Sequence, residues 1–226
     1  MDFELFQNAY RARALAGFDW LEHGFGTRFF DPPAPLATLH QIHSDLAIYA
    51  DRPGCLGDGD AILSDMPGHF VGVKTADCLP ILLVDEHHRS VAAVHAGWRG
   101  TVAGVVLSAL KAMARQWHTH PVDVHAAIGP GIGECCLEVG PEVAVQFGLS
   151  FQRARINLEQ ANRRQLIDAG LTANRIYLAG LCTFCLADQF HSFRRDRQKA
   201  GRMISVVGVK HHGREIELAP VDRQPA

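Results

Sequence analysis

Two apolar runs, PILLVD (80–85) and SVAAVH (90–95), are separated only by Glu86-His87-His88-Arg89. Two strand-like runs joined by so short a polar connection form a β-hairpin, and a hairpin dictates which residues meet. If Asp85 faces Ser90, then His95 faces Pro80 and Cys78 lies one diagonal step away. If the turn is tighter by one residue on each side, Cys78 faces His95 directly. In either register the two side chains leave the same face of the sheet, because strand side chains alternate. The open end of this hairpin is flanked by TADCLP (75–80) and HAGWRG (95–100), and neither continues a strand pattern. HAGWRG packs a His, a Trp, an Arg and two glycines into a strand-to-helix turn. Glycine permits close backbone approach, a helix N-terminus presents free N–H groups to an anion, and His and Arg supply a ligand and a fixed cation. The segment reads as the corner of an active site.

A Cys beside a His supports two chemistries. The thiolate can act as a nucleophile activated by the imidazole. Alternatively, the pair can bind zinc with a third protein ligand and leave a fourth position open. The third ligand is sought in His40-Gln41-Ile42-His43. In an extended segment the two His point to opposite faces, so one of them reaches the site, and the residues alone leave open which.

The rest of the chain sets bounds. Its 226 residues suit one domain, and a 47% hydrophobic content supplies a core. The 22 basic and 24 acidic residues give a net charge of −2, with no surplus for nucleic acid or a membrane surface. No apolar run is long enough to span a bilayer, and the N-terminus has no secretory pattern, so a cytoplasmic protein is expected. The six Cys do not read as a secreted disulfide scaffold. Cys182-Thr-Phe-Cys185 is a CxxC without a second CxxC, and is read as a buried or incidental pair. Strands are expected at 46–50, 60–64, 69–75, 80–85, 90–95, 124–129, 175–180 and 204–209. One helix is expected from an N-cap at Thr101, with Val102, Val105, Val106, Ala109 and Met113 on its buried face. A second runs from Asn157 to Ala169, with Gln160 completing a capping box and Gly170 closing it, and a short one follows Gly140-Pro141. The fold class is therefore α/β in the α+β sense: one sheet-rich domain over 1–226, with mixed, largely antiparallel strands and a frayed tail at 219–226.

HGFGTR (23–28), HQIHSD (40–45), GDGDAILSD (57–65), VGVKTADCLPILLVD (71–85), VAAVHAGWRG (91–100), IGPGIGECCLEVG (128–140) and LCTFCLADQFHSFRRD (181–196) together resemble the laccase-domain family, also called polyphenol oxidase or YfiH/YlmD-like proteins. The resemblance covers most of the chain, and TADCLP with HAGWRG at this separation is highly specific. It implies a sheet-rich, layered α/β fold similar to the catalytic domain of cytotoxic necrotizing factor. It implies three metal ligands: the His of QxH, the Cys of TADC and the His of HAGWRG, here His43, Cys78 and His95. This favours His43 over His40. It also implies zinc-dependent phosphorolysis of adenosine, inosine, guanosine and methylthioadenosine, and deamination of adenosine, with nucleoside and phosphate as the small-molecule partners. Copper-dependent phenol oxidation has also been attributed to the family. Two departures stand out. Only about a dozen residues join Arg28 to His40 where the family usually has a longer stretch, so altered substrate-wall contacts are expected. Gly131 and Leu137 stand where Cys and Tyr are common.

Within this resemblance, phosphorolysis needs an anion site. Arg99, Arg194 with Arg195, Arg28 and the N–H groups near Thr101 are its candidates. Asp77 is the candidate proton shuttle, with turn capping or ligand orientation as its alternative. Trp98 stacks a base or anchors packing. A trinuclear copper cluster needs several His-x-His pairs, and the chain has one, His118-Thr119-His120, so copper would be an adventitious occupant of the zinc site. Two other functions fit the residues: a Cys–His amidohydrolase acting on a small amide such as a cell-wall precursor, and a non-catalytic metal-binding protein.

Overall fold

The hairpin forms in the wider of the two registers. Strand Leu79–Asp85 pairs antiparallel with Ser90–Ala96, with Asp85 opposite Ser90 and His95 opposite Pro80. Its turn is held by the buried Asp85 carboxylate, which accepts from the backbone N–H groups of His87 and His88 at 2.9 and 3.0 Å. The computed structural model describes residues 2–211; the expected frayed tail at 219–226 lies outside them.

This hairpin is the centre of a six-stranded sheet. Its strands run in the order Ile176–Leu178, Val124–Ile128, Leu79–Asp85, Ser90–Ala96, Ala61–Ser64 and Ala47–Tyr49. A second sheet of seven strands has the order Phe3–Phe6, Ala9–Ala12, Leu21–Gly26, Met203–Val209, Phe70–Thr75, Leu36–His40 and Gly54–Asp58. Most pairings are antiparallel. Parallel ones join Val124–Ile128 to Ile176–Leu178, Ala47–Tyr49 to Ala61–Ser64, and Leu36–His40 to both of its neighbours.

The layering follows from the alternation of side chains. Leu82, Val84, Val91 and Ala93 face the other sheet and pack with Phe25, Val71, Val73 and Val207. Ile81, Leu83, Ala92 and Val94 face the other way, onto Val105, Val106, Ala109 and Met113 of helix Val105–Trp117 and Leu166 of helix Leu158–Asp168. Both faces of the hairpin are covered, which is why its strands read as unbroken apolar runs rather than alternating ones. The result is a sheet–sheet–helix sandwich. All eight expected strands form. The N-terminal strands Phe3–Phe6, Ala9–Ala12 and Leu21–Gly26, along with Leu36–His40 and Gly54–Asp58, were not foreseen.

One helix differs from expectation. Its chain becomes helical at Trp98, not Thr101, with Gly97 at the N-cap. It breaks at Gly104, whose φ is +80°, and resumes at Val105. The break rotates the helical phase, so Val102 is 39% exposed rather than buried with Val105 and Val106. Thr101 lies inside the first segment. Its N–H donates to the Gly97 carbonyl at 2.8 Å, and its hydroxyl accepts from Asn162 at 2.9 Å. The second helix starts as expected, with the Asn157 side chain accepting from the Gln160 N–H at 2.9 Å. The short helix after Gly140 spans Pro141–Ala144. Among the described residues no helix is long and apolar enough to cross a membrane. All six Cys are free thiols, and Cys182 and Cys185 are not an isolated pair, because they meet Cys135 and Cys136.

Candidate metal centre

His43, Cys78 and His95 converge at the open end of the hairpin, their ligand atoms all within 4.8 Å of one another. The Cys78 Sγ lies 3.9 Å from His43 Nε2, and the two imidazole rings meet edge to face with centroids 4.8 Å apart. His40, the other candidate in the HQIH segment, turns away and pairs through Nδ1 with the Asp58 carboxylate at 2.8 Å.

Each ligand is placed by a specific local device. His95 ends strand Ser90–Ala96 just before the turn into the helix. Cys78 precedes strand Leu79–Asp85, after a turn in which Asp77 adopts a φ of +86°. His43 sits in a left-handed conformation, φ +60°, at the bend of a loop that is fastened at two points. Gln41 clasps the backbone of Lys74, donating to its carbonyl at 2.7 Å and accepting from its N–H at 2.8 Å. The loop also wraps around the fully buried Asp60 carboxylate, which accepts from the backbone N–H groups of Ile42, His43 and Ser44 at 3.2, 3.0 and 2.6 Å and from the Ser44 hydroxyl at 2.7 Å. Successive N–H groups curled around an anion form a nest.

Asp60 is the residue that reading the sequence missed. Its Oδ1 also lies 2.8 Å from His95 Nδ1, which fixes that ring and leaves Nε2 for the site. A carboxylate behind a ligating His is a common partner of metal centres. The available signal was its position in GDGDAILS: a lone carboxylate leading a strand, Ala61–Ser64, in which every residue is buried.

These contacts set the charges. Burial alone would raise the Asp60 carboxyl, but hydrogen bonds from His95 and Ser44 hold it at about 2. Burial would likewise raise the Cys78 thiol, yet hydrogen bonds to His43 and His95 bring it down to about 6. Burial would lower His95, whereas the bonds to Asp60 and Cys78 raise it to about 9. The contacts between them favour the thiolate of Cys78 and the imidazolium of His95. A thiolate and two imidazoles around one point, with a carboxylate behind one of them, is a donor set that suits zinc. Gly97 keeps the space clear, because a Cβ there would lie 2.8 Å from the Cys78 sulfur.

The centre opens into a cavity of about 660 Å³, a volume typical of small-molecule sites. Lys74, Arg99, Arg194, Arg197 and Arg202 line it, and Ile132, Leu137, Leu158 and Phe193 form an apolar wall. Arg99 lies in the cavity with its guanidinium 4.3 Å above the Trp98 ring, so one face of the indole is already covered. Arg194 lies there too, donating to the Glu138 carbonyl at 3.0 Å. Arg28 is elsewhere, bonded to the Ala187 carbonyl at 2.9 Å and approaching His191. Arg195 is fully engaged: its five N–H groups go to the carbonyls of Thr183, Phe184 and Phe190 and to Asp196. It pins a loop and has no donor left for phosphate, and the Thr101 N–H is likewise taken. Asp77 borders the cavity, but its two oxygens accept from the Thr183 hydroxyl at 2.8 Å and the Arg194 N–H at 2.6 Å.

Residues 26–210 match the family described as multi-copper polyphenol oxidoreductase laccase. A purine nucleoside phosphorylase of Bacteroides thetaiotaomicron is 39% identical over 159 residues, 65% of this chain and 59% of that protein. The chain thus spans well under two thirds of that relative's length. A purine nucleoside phosphorylase of Deinococcus radiodurans is 36% identical over 76% of this chain and 70% of its own. Adenosine deaminase RL5, from an unknown prokaryotic organism, is 39% identical over 67% of this chain and 63% of its own. Among solved structures, the hypothetical protein YfiH of Bacillus licheniformis superposes with a TM-score of 0.84 at 25% identity, covering 92% of this chain and 99% of its own. YlmD from Geobacillus stearothermophilus shares the fold with a TM-score of 0.86 at 24% identity, covering 93% and 99%.

Proposed function

The chain belongs to the multi-copper polyphenol oxidoreductase laccase family, and from that membership we propose that it is a zinc-dependent purine nucleoside phosphorylase acting on adenosine, inosine, guanosine and methylthioadenosine, with adenosine deaminase activity at the same centre. One observation carries this reading: a single cavity combines a three-residue metal set with five cationic side chains and an apolar wall. The relatives named purine nucleoside phosphorylase and adenosine deaminase support the two reactions. Six free thiols suit a cytoplasmic location.

His43, Cys78 and His95 would hold the ion, which supplies a Lewis acid to the substrate when bound. Arg99 and Arg194, with Lys74, Arg197 and Arg202 around them, would bind and orient phosphate as a dianion. Phe193, 42% exposed, offers the purine an aromatic face that no cation covers among the described contacts. The apolar residues Ile132, Leu137 and Leu158 exclude water beside it. In phosphorolysis a phosphate oxygen forms a bond to the anomeric carbon of the ribose. The carbon–nitrogen bond breaks, and the purine leaves with the bonding pair. The protein's part is to hold the two substrates in line and to neutralise the phosphate. We assign Asp77 a positioning role in this scheme, since both of its oxygens hold neighbouring loops. Arg28 takes no part in the proposed phosphate site.

A thiolate with two imidazoles also accepts copper. Laccase chemistry, however, relays electrons between separate copper centres, and the His43–Cys78–His95 set offers ligands for one ion, which favours nucleoside chemistry. The test is incubation of zinc-replete protein with adenosine or inosine, with and without phosphate. Phosphate-dependent release of free base and ribose 1-phosphate is expected, with inosine from adenosine as the deamination product. Absence of both reactions overturns the proposal. Chelation should abolish activity and zinc should restore it, whereas hydrolysis of a small amide that survives chelation would support the thiol amidohydrolase reading instead.

A further inference from the structure

Cys135, Cys136, Cys182 and Cys185 come together outside the cavity, with all four sulfurs within 4.8 Å of one another. The Cys185 sulfur lies 3.5 Å from that of Cys136 and 3.8 Å from that of Cys135. Four sulfurs in a tetrahedron around zinc, each about 2.3 Å from the metal, stand roughly 3.8 Å apart. A disulfide requires about 2.05 Å and joins only two of the four. In this cluster Cys185 is nearly equidistant from two partners, so the arrangement is that of a four-ligand shell rather than of a bonded pair.

The backbone is built around the cluster as well. Two turns face each other. In one, the N–H groups of Cys136 and Leu137 donate to the Gly133 carbonyl at 2.9 and 3.0 Å; in the other, the Leu186 N–H donates to the Cys182 carbonyl at 3.1 Å. The turns are joined where Gly131 bonds the backbone of Leu181 and Thr183. The Gly133 N–H donates to the Cys182 sulfur at 3.2 Å, a contact that stabilises a thiolate. Gly133 also keeps room for the cluster, since a Cβ there would meet Cys135 Sγ at 3.2 Å and Cys182 Sγ at 3.5 Å. The Arg195 guanidinium grips the carbonyls of Thr183 and Phe184 inside the CxxC, which fixes the loop that carries Cys182 and Cys185.

We propose that Cys135, Cys136, Cys182 and Cys185 bind a second zinc ion, closed to substrate, that fastens one wall of the cavity. Closed four-ligand sites are structural, and this one stands on the two loops that build the wall. Ile132 and Leu137 flank Cys135 and Cys136 and line the cavity. Thr183, between Cys182 and Cys185, holds Asp77 beside the ligand Cys78, and Asp77 in turn holds the Arg194 backbone.

The experiment measures zinc per chain after reduced protein has been loaded with zinc and freed of excess. It compares wild type, Cys78→Ala, and Cys182→Ser/Cys185→Ser. One tightly held zinc is expected in Cys78→Ala, and this site is lost in the double variant. Cobalt(II) loaded into Cys78→Ala should give the strong sulfur-to-cobalt charge-transfer absorption of a tetrathiolate, and titration with a mercurial should consume four thiols per ion released. If the double variant does not fold, Cys78→Ala decides alone. No retained zinc in Cys78→Ala, a cobalt spectrum of nitrogen ligation, or a disulfide among these four Cys in the reduced, loaded protein overturns the proposal. None of these readouts depends on nucleoside turnover, so they stand or fall apart from the proposed activity.

Discussion

Gly97 is a glycine for reasons of space. Its φ of −74° and ψ of 175° suit any residue, yet a Cβ would stand 2.8 Å from Cys78 Sγ and 3.1 Å from His43 Cδ2. Gly97→Ala is therefore expected to push two ligands apart and weaken zinc binding by at least about tenfold, while thermal stability changes little; competition with a chromophoric chelator measures it, and wild-type affinity would refute it. Asp60→Asn acts from behind the site. It replaces an acceptor of four protein donors and of His95 with an amide that must turn an N–H toward some of them. Zinc affinity should drop by about 10–100-fold, and stability to urea should drop by about 3 kcal/mol. A variant that keeps either value shows that Asp60 does not organise the loop. Cys78 and His95 were legible because both stand next to strands whose register follows from a four-residue turn. Asp60 was not, because its link to His95 runs through the pairing of Ala61–Ser64 with Val91–Val94, which no local pattern reveals. The choice of His43 over His40 came from resemblance. Physically it rests on a left-handed bend that the Asp60 carboxylate imposes on the loop.

At the level of elements, the strands that were readable are those rich in β-branched and aromatic residues, from the hairpin buried on both faces to the edge strands Ala47–Tyr49 and Ile176–Leu178. The ones that escaped notice lie at sheet edges or carry mixed sequence. Phe3–Phe6 leaves Leu5 and Phe6 exposed, and four of the five residues of Gly54–Asp58 are exposed. The helix after HAGWRG was placed four residues late because Thr101 is a good N-cap by type, while the actual start is set by the turn at Gly97. Strand Leu21–Gly26 holds a titration that can be tested. His23 is buried, and its Nε2 accepts from the Ala12 N–H at 3.0 Å. Burial, aided by Arg11, lowers its pKa from 6.5 to about 4. Between those values the unfolded chain binds a proton that the folded chain refuses, so this contribution is complete above about pH 6.5 and is lost as pH falls toward 4. Urea unfolding at pH 7 and pH 4.5 should show about 2 to 3 kcal/mol more acid destabilisation in wild type than in His23→Gln, which keeps an acceptor without the titration. Parallel pH dependence in the two proteins would count against it.

Across the whole molecule, the two sheets come into tight contact where Gly129 leaves strand Val124–Ile128. A Cβ there would fall 2.0 Å from the ring of the fully buried Phe25. Gly129→Ala must displace that ring, and Phe25 packs against Phe3 and the strands behind it. The expected loss is about 1–3 kcal/mol of unfolding free energy, read by denaturant titration; a neutral result would mean the layers slide freely past one another. The mixed, strand-rich class was legible from the order of apolar runs, and its layering from the resemblance. The partition of strands between two sheets was not, because it depends on crossovers such as Met203–Val209 inserting between Leu21–Gly26 and Phe70–Thr75. The metal set draws only on residues 43 to 95, whereas the apolar wall and most of the cations come from residues 132 to 202. Under the proposed function, reactivity and selectivity are written in separate stretches of one chain. Grafting 129–202 from a relative of different nucleoside preference should transplant that preference, seen as altered ratios of kcat/KM, while zinc affinity at His43, Cys78 and His95 stays as it was. A lineage carrying this fold can drift toward new substrates without dismantling the centre that acts on them.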